Sequence, residues 1–162
     1  MLTDQERQEI EAELHDYPYK HNACIGALKV VQRHRGGWVP DEGIRDIADF
    51  LDMSPDEVDS VATFYNLIMR RPVGKHKIFI CNSVSCWLVG YREILAQLTE
   101  TLNIELGQTT ADNQFTLLPI PCLGTCDHAP ALMIDEDLHR DLTPEKIEQI
   151  LTDYANDGGQ QT

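Results

Sequence analysis

The chain has 162 residues, enough for one domain or for a small domain with an appendage. Its formal net charge of −14 argues against nucleic acid and anionic lipid as partners, because both require a basic surface. No apolar run reaches the ~18 residues of a membrane span, so we expect no direct membrane insertion. The polar, acidic start at Met1 lacks signal-peptide features and predicts a cytoplasmic protein. A mature mitochondrial protein whose presequence has been removed is an alternative that stays open.

Residues 1–72 show a helical pattern. Helix starts are indicated by Thr3 or Asp4 with Glu6 in the first turn, by Pro40, and by Ser54 followed by proline and acids. A further helix ends at Gly36-Gly37. The last helix has an apolar stripe that is usually core and alternatively a docking face for another subunit. Its members are Val58, Val61, Phe64, Tyr65 and Ile68.

The pattern changes after a linker at Arg70–Gly74. Residues 75–80, 115–120 and 131–134 have strand character, whereas Tyr91–Leu102 and the segment that starts at Thr143-Pro144 have helical periodicity. The second half is therefore predicted as β-α-β-β-α, with a frayed tail over 157–162. Parallel strands joined by a crossover helix place their carboxyl ends at one edge of a sheet.

Cysteines follow two of these strands. Cys81 and Cys86 form a C-x4-C pair, and Cys122 and Cys126 form a C-x3-C pair. Four converging thiolates can hold an iron–sulfur cluster or zinc. Structural zinc prefers C-x2-C, and dithiol redox chemistry uses C-x-x-C, so the spacing favours a 2Fe–2S cluster over zinc, disulfides or free thiols.

The remaining candidate residues have simpler interpretations. Cys24 is expected to be a buried thiol that acts as a small hydrophobe. His128 could replace a ligand, but four cysteines suffice, so we expect it beside the centre or on the surface. Asp127 adjoins a predicted ligand and is most simply a solvated charge. The other histidines considered show no partner pattern: His21, His34, His76 and His139.

The order of motifs resembles that of a known family. The motifs are Val61-Ala-Thr-Phe-Tyr65, Pro72-Val-Gly-Lys75, the first cysteine pair with Gly90, Thr109-Thr110-x-Asp112, the second cysteine pair and Ala129-Pro130. Over roughly residues 10–155 this resembles the thioredoxin-like 2Fe–2S subunits (the E subunits) of bacterial NADH:quinone oxidoreductase, respiratory complex I. Asn113 stands where the family often has Gly, and Asn tolerates the left-handed conformation of such a turn.

The resemblance implies an α+β fold, with an N-terminal helical bundle over 1–72 and a thioredoxin-like α/β domain over 73–162. It implies one 2Fe–2S cluster that is held by Cys81, Cys86, Cys122 and Cys126. FMN and NADH are expected on a partner flavoprotein subunit only, so this chain is an electron-transfer subunit of an NADH dehydrogenase with no catalytic residues of its own. Further partners are other peripheral-arm iron–sulfur subunits. The complex would hold the chain on the inner face of the cell membrane.

Two other interpretations stay open at this point. Similar subunits serve NAD-linked formate dehydrogenases and NAD-reducing hydrogenases, and a zinc-stabilised interaction module without redox function is a different class of protein. Acidic residues are also expected to lower the cluster potential, because negative charge opposes the addition of an electron. Those expected near the second cysteine loop are Asp127, Asp135, Glu136 and Asp137.

Overall fold

The computed structural model of the chain describes residues 1–156. Its contacts divide between Val73 and Gly74 into two compact units, each with its own apolar core. The tail predicted over 157–162 lies outside the described residues. In the part that is described, no helix is long and apolar enough to cross a membrane. Whether the predicted ranges 1–72 and 73–162 are independent domains stays a prediction.

The first unit consists of helices, as predicted. They are α1 (Asp4–Leu14), α2 (Cys24–His34), α3 (Asp41–Leu51) and α4 (Pro55–Phe64), with a 3-10 turn over Lys20–Ala23. Thr3 and Glu6 form a capping box on α1, and Ser54 and Glu57 form one on α4. In each box the cap hydroxyl accepts from a backbone N–H while the glutamate accepts from the cap N–H. These two helix starts are confirmed at the predicted residues.

A network of ion pairs in this unit joins α1 and α3 through Arg35, the residue that follows α2. The Glu6 side chain is 1% exposed, and Arg35 donates to both of its carboxylate oxygens over 2.7 and 3.0 Å. Arg35 also contacts Asp46 of α3 at 2.8 Å, and the Met1 ammonium reaches the same aspartate at 2.9 Å. The negative charges of the two carboxylates are therefore paired with the positive charge of the guanidinium, as buried charges must be.

The apolar stripe predicted for the last helix of this unit is only partly correct. Val58 and Ile68 are buried, but α4 ends at Phe64, because Tyr65 has an extended backbone conformation and begins a turn. Phe64 is 77% exposed and Tyr65 is also exposed, with ring centroids 5.2 Å apart. Beyond the helix end the residues no longer follow a helical period. The stripe therefore divides into core residues and an exposed aromatic pair.

The second unit contains a four-stranded sheet. Its strands are β1 (His76–Cys81), β2 (Phe115–Ile120), β3 (Leu132–Ile134) and β4 (Asp137–His139), in the order β2-β1-β3-β4. β1 and β2 are parallel, and the other two pairings are antiparallel. The helices are α5 (Val84–Val89), α6 (Tyr91–Leu102) and α7 (Pro144–Asn156). Ile94 and Leu98 of α6 pack with Ile147 and Leu151 of α7 in the core below the strands.

Two elements of this unit were missed in the sequence pattern β-α-β-β-α. Helix α5 has the sequence Val-Ser-Cys-Trp-Leu-Val, whose β-branched and aromatic residues favour strands. Strand β4 has only three residues and follows a two-residue turn in which Asp135 adopts a φ of 53°. Hairpin turns of this kind usually carry Asn-Gly or Asp-Gly, and Asp135-Glu136 lacks that signal.

Candidate metal centre

The parallel pairing of β1 and β2 determines where the cysteines lie. Cys81 is the last residue of β1 and is in register with Ile120, the last residue of β2. The backbone N–H of Asn82 donates to the Ile120 carbonyl over 3.0 Å, which keeps the two chains together as they leave the sheet. Cys122 follows two residues after Ile120. Both cysteine loops therefore begin side by side at the carboxyl edge of the sheet, as the sequence predicted.

The four thiols lie in two pairs. Cys122 Sγ and Cys126 Sγ are 3.3 Å apart, and Cys81 packs with Cys86 and contributes to the raised pKa of its thiol. The two pairs are near enough to interact electrostatically: Cys126 contributes to the raised pKa of Cys86, and Cys81 contributes to the raised pKa of Cys126. Within residues 1–156, no three His, Cys, Asp or Glu side chains surround a single metal position.

Exposure differs sharply between the two pairs. Cys81 and Cys86 are buried, and both pack against Ala131. Cys122 and Cys126 are exposed to solvent. The site is therefore closed on the side of β1 and α5, and open on the side of the second loop.

Polar groups lie close to the thiols, and a backbone N–H donates a hydrogen bond to one of the sulfurs. The N–H of Gly124 donates to Cys122 Sγ over 3.3 Å, and the φ of +81° at Gly124 is one that glycine adopts without strain. The backbone of Ala131 lies close enough to Cys86, and the Ser85 side chain close enough to Cys126, to oppose the rise in the pKa of each thiol. Such donors stabilise negative charge on sulfur and tune the potential of a bound cluster. Ser85 and Ala131 were missed in the sequence, where nothing linked them to a sulfur.

The surroundings move the thiol pKa values in different directions. Burial raises the pKa of Cys86 to about 11, with a further contribution from the Cys81 thiol. The Gly124 N–H lowers the pKa of Cys122, whereas the neighbouring Cys122 raises the pKa of Cys126. Of the two exposed thiols, Cys122 is thus the one whose thiolate form the protein favours over the neutral thiol. The thiolate is the form that binds metal.

The other residues considered from sequence lie away from the sulfurs or on the surface. Cys24 is buried in the core of the first unit, where burial raises its pKa to about 11. His128 is half exposed and contacts Asp141 at 3.0 Å through Nδ1. Asp127 is largely exposed and lies 3.5 Å from His128 Nε2. The structure gives partners to three histidines for which the sequence showed none: His34 with Glu9, His76 with Asp135, and His139 with Tyr154.

The expectation that four acids lie near the second cysteine loop is wrong for Asp135 and the two residues after it. Strand β3 runs antiparallel to β1, so the chain moves away from the cysteines before it reaches Asp135. Asp135 contacts Lys77 at 2.8 Å, and Lys77 precedes Cys81 by four residues of strand, about 13 Å. Of the four acids, only Asp127 is next to a candidate ligand. Proximity in sequence did not reveal the direction of the strand.

This arrangement of a thioredoxin-like sheet with four cysteines at one edge defines a class of iron–sulfur protein. The chain matches the family model for thioredoxin-like 2Fe-2S ferredoxins over residues 10–155, and it belongs to that family. The predicted fold class, with N-terminal helices before a thioredoxin-like domain, is confirmed. The prediction of one 2Fe–2S cluster as cofactor is confirmed as well.

Individual relatives are similar over almost the whole chain. The E subunit of the NADH-quinone oxidoreductase of Escherichia coli (strain K12) is 52% identical over 153 residues, which are 94% of this chain and 92% of that protein. The corresponding E subunit from Pseudomonas aeruginosa is 47% identical over 155 residues, 96% of this chain and 93% of that protein. These similarities confirm the resemblance found in the sequence motifs.

A solved structure shares the fold at lower identity. The chain superposes on part of an NAD+-reducing NiFe-hydrogenase in its H2-reduced state with a TM-score of 0.67 and 20% sequence identity. The match covers 83% of this chain and 22% of that one. At this identity the likeness concerns the fold alone.

Proposed function

We propose that this chain is the electron-transfer 2Fe–2S subunit of the NADH-oxidising part of an NADH:quinone oxidoreductase, and that Cys81, Cys86, Cys122 and Cys126 hold its cluster. The observation that carries the proposal is the meeting of two thiol pairs at the carboxyl edge of β1 and β2. A 2Fe–2S cluster takes four cysteine ligands, two on each iron. The donor set therefore fits the cluster that the family carries.

The bound cluster supplies one-electron transfer. The chain's own residues hold it, shield one side and stabilise its charge. Cys81 and Cys86 are fixed by the end of β1 and by α5, in a buried setting that excludes water. The N–H of Gly124 directs its positive dipole end toward the Cys122 sulfur, which favours the more negative, reduced state, and the backbone of Ala131 and the side chain of Ser85 lie close to Cys86 and Cys126.

The proposal extends to the partners and the location of the chain. A 2Fe–2S centre accepts one electron, whereas NADH delivers two as a hydride, so a flavin is the chemically suitable intermediary. We therefore place FMN and NADH on a partner flavoprotein subunit, with other peripheral-arm iron–sulfur subunits nearby. The whole assembly would lie on the cytoplasmic face of the cell membrane, and this chain would be attached only through its partners.

Serine substitutions test the ligand assignment. Each of the five cysteines is replaced in turn, and iron and the visible and EPR spectra of the anaerobically purified protein are measured. We expect Cys122→Ser to lose or alter the cluster, and Cys24→Ser, the matched control in the first unit, to keep it. Full iron loading with unchanged spectra in Cys122→Ser would overturn the assignment.

The other interpretations of the sequence predict different results. A zinc module would be colourless and contain zinc in place of iron. A subunit of a formate dehydrogenase or hydrogenase would carry the same cluster and would differ only in the complex with which it purifies. The 52% identity with a subunit of NADH-quinone oxidoreductase over 94% of this chain supports the quinone-linked complex.

A further inference from the structure

Two cysteine thiols lie close together on the surface of the second unit. Cys122 Sγ and Cys126 Sγ are 3.3 Å apart, and both residues are exposed to solvent. A disulfide bond is about 2.0 Å long, so the two sulfurs need to approach by only about 1 Å to form one. The other three cysteines are enclosed, because Cys24, Cys81 and Cys86 are each 3% exposed. Of the five thiols, the exposed pair is therefore the one that a dissolved oxidant reaches.

The loop between the two exposed cysteines leaves room for this approach. Gly124 has a φ of +81°, and a Cβ atom placed on it would meet no heavy atom within 4 Å. A small rearrangement at Gly124 thus meets no steric obstacle. Thr125 is buried, and its carbonyl accepts from the N–H of His128 over 3.0 Å. The loop is therefore anchored on the side of Cys126 and open in its middle.

The two thiols differ as an attacking thiol and a resolving thiol differ. The N–H of Gly124 donates to Cys122 Sγ over 3.3 Å and stabilises negative charge on that sulfur. The thiolate is the nucleophile in thiol–disulfide exchange. Cysteines that respond to oxidants are typically exposed, favoured as thiolates and placed beside a second cysteine that completes the disulfide. Cys122 meets the first two conditions, and Cys126 meets the third.

We propose that Cys122 and Cys126 form a reversible disulfide in the chain that has not yet received its cluster, and that this disulfide prevents cluster binding until it is reduced. The inference rests on the ligand assignment in the proposed function. A 2Fe–2S cluster takes four cysteine ligands, and the disulfide removes two of them. Dithiol enzymes use C-x-x-C, whereas this pair is C-x3-C, so we assign the disulfide to regulation and not to a catalytic cycle.

The oxidant is a low-molecular-weight disulfide, for which oxidised glutathione is the probe. The Cys122 thiolate attacks one of its sulfurs, a mixed disulfide forms, and one glutathione thiolate leaves. The Cys126 thiol then loses its proton to solvent and attacks the Cys122 sulfur, which releases the second glutathione thiolate. Two protein thiols are thereby oxidised by two electrons, and one glutathione disulfide is reduced to two thiols. An exposed disulfide is labile, so an excess of reduced thiol reverses both steps.

The test uses the full-length chain, freed of iron anaerobically with a chelator, beside the same chain in its cluster-loaded form. Both are incubated with oxidised glutathione, free thiols are alkylated, and peptide mass spectrometry locates the disulfide. We expect a Cys122–Cys126 disulfide in the cluster-free chain, unmodified Cys81 and Cys86, and no oxidation of the loaded chain. Reconstitution of the oxidised chain with iron and sulfide should fail, and dithiothreitol should restore it.

Serine variants separate the two steps of the exchange. In Cys126→Ser we expect Cys122 to keep one glutathione as a mixed disulfide, because the resolving thiol is absent. In Cys122→Ser we expect Cys126 to react more slowly than Cys122 does in the first variant, because no N–H donor favours its thiolate. Cys24→Ser, the matched control in the first unit, should form the disulfide and respond to dithiothreitol like the wild type.

Other results would contradict the proposal. A disulfide that includes Cys81 or Cys86, or two exposed thiols that both stay reduced in the cluster-free chain, would overturn the assignment of the pair. Cluster loading that is unaffected by the disulfide would overturn its regulatory role. If the fully reduced wild type binds no cluster, the proposed function itself fails, whereas the peptide map still decides whether the disulfide forms.

Discussion

The Glu6–Arg35 pair makes a quantitative prediction about the first unit. The hydrogen bonds from Arg35 lower the pKa of Glu6 from its usual 4.5 to about 2, against the opposing effect of burial. At about 1.4 kcal/mol for each pKa unit, this difference corresponds to about 3 kcal/mol of folding free energy. In Glu6→Gln the guanidinium keeps its contact with Asp46 at 2.8 Å. We therefore expect a loss of about 2–3 kcal/mol near neutral pH.

The sign of the pH dependence follows from the direction of this pKa change. A carboxyl whose pKa is lower in the folded state stabilises the fold above its unfolded pKa. That contribution decreases as the pH falls from about 4.5 toward about 2. The difference in stability between wild type and Glu6→Gln should therefore be largest near pH 7. It should fall to about half near pH 3, because the unfolded chain is by then protonated while folded Glu6 is still ionised.

The assay is urea unfolding of both proteins across this pH range. Trp38 and Trp87 are the two tryptophans of the sequence, so a Trp87→Phe background makes Trp38 fluorescence report on the first unit. Glu11→Gln, an exposed position on the same helix, serves as the control. If Glu6→Gln costs no more than Glu11→Gln at neutral pH, or if the difference does not narrow in acid, the ion pair does not carry this stability.

Three further predictions concern the cluster. Ser85→Ala removes a hydroxyl close to Cys126 and should lower the reduction potential by some tens of millivolts in an EPR-monitored titration; a raised potential would contradict a stabilising effect of this hydroxyl on the sulfur. Asp127→Asn removes a charge beside Cys126, a proposed ligand, and should raise the potential by tens of millivolts, less at high salt; no change would mean that solvent screens this carboxylate fully. Asp135→Asn, about 13 Å along the sheet from Cys81, should shift the potential less than Asp127→Asn; an equal shift would contradict the antiparallel course of β3.

The sequence correctly predicted structural features that depend on residues close together in the chain. The starts of α1 and α4 were found because Thr3 with Glu6 and Ser54 with Glu57 form their capping boxes within four residues. The meeting of the cysteine loops followed from two strand-like segments and a helix between them, since that order favours parallel pairing.

The missed features depend on contacts that are distant in sequence. Helix α5 consists of residues with strand preferences, and its conformation is decided by where it sits against the cysteines and by the turn at Gly90. The position of Asp135 depends on whether β3 pairs parallel or antiparallel to β1, which three residues of sequence do not reveal. Ser85 comes close to Cys126, and Ala131 comes close to Cys86, only after the chain has folded.

The unequal exposure of the two thiol pairs gives cluster assembly a direction. A cluster donor protein can reach Cys122 and Cys126 from solvent, whereas Cys81 and Cys86 are already enclosed. Cys122 is also the exposed thiol whose pKa is lowered by a backbone N–H, so it is the readiest nucleophile toward incoming iron. We expect transfer to begin at the second loop and to finish at β1 and α5, so that the buried part of the site receives the cluster last.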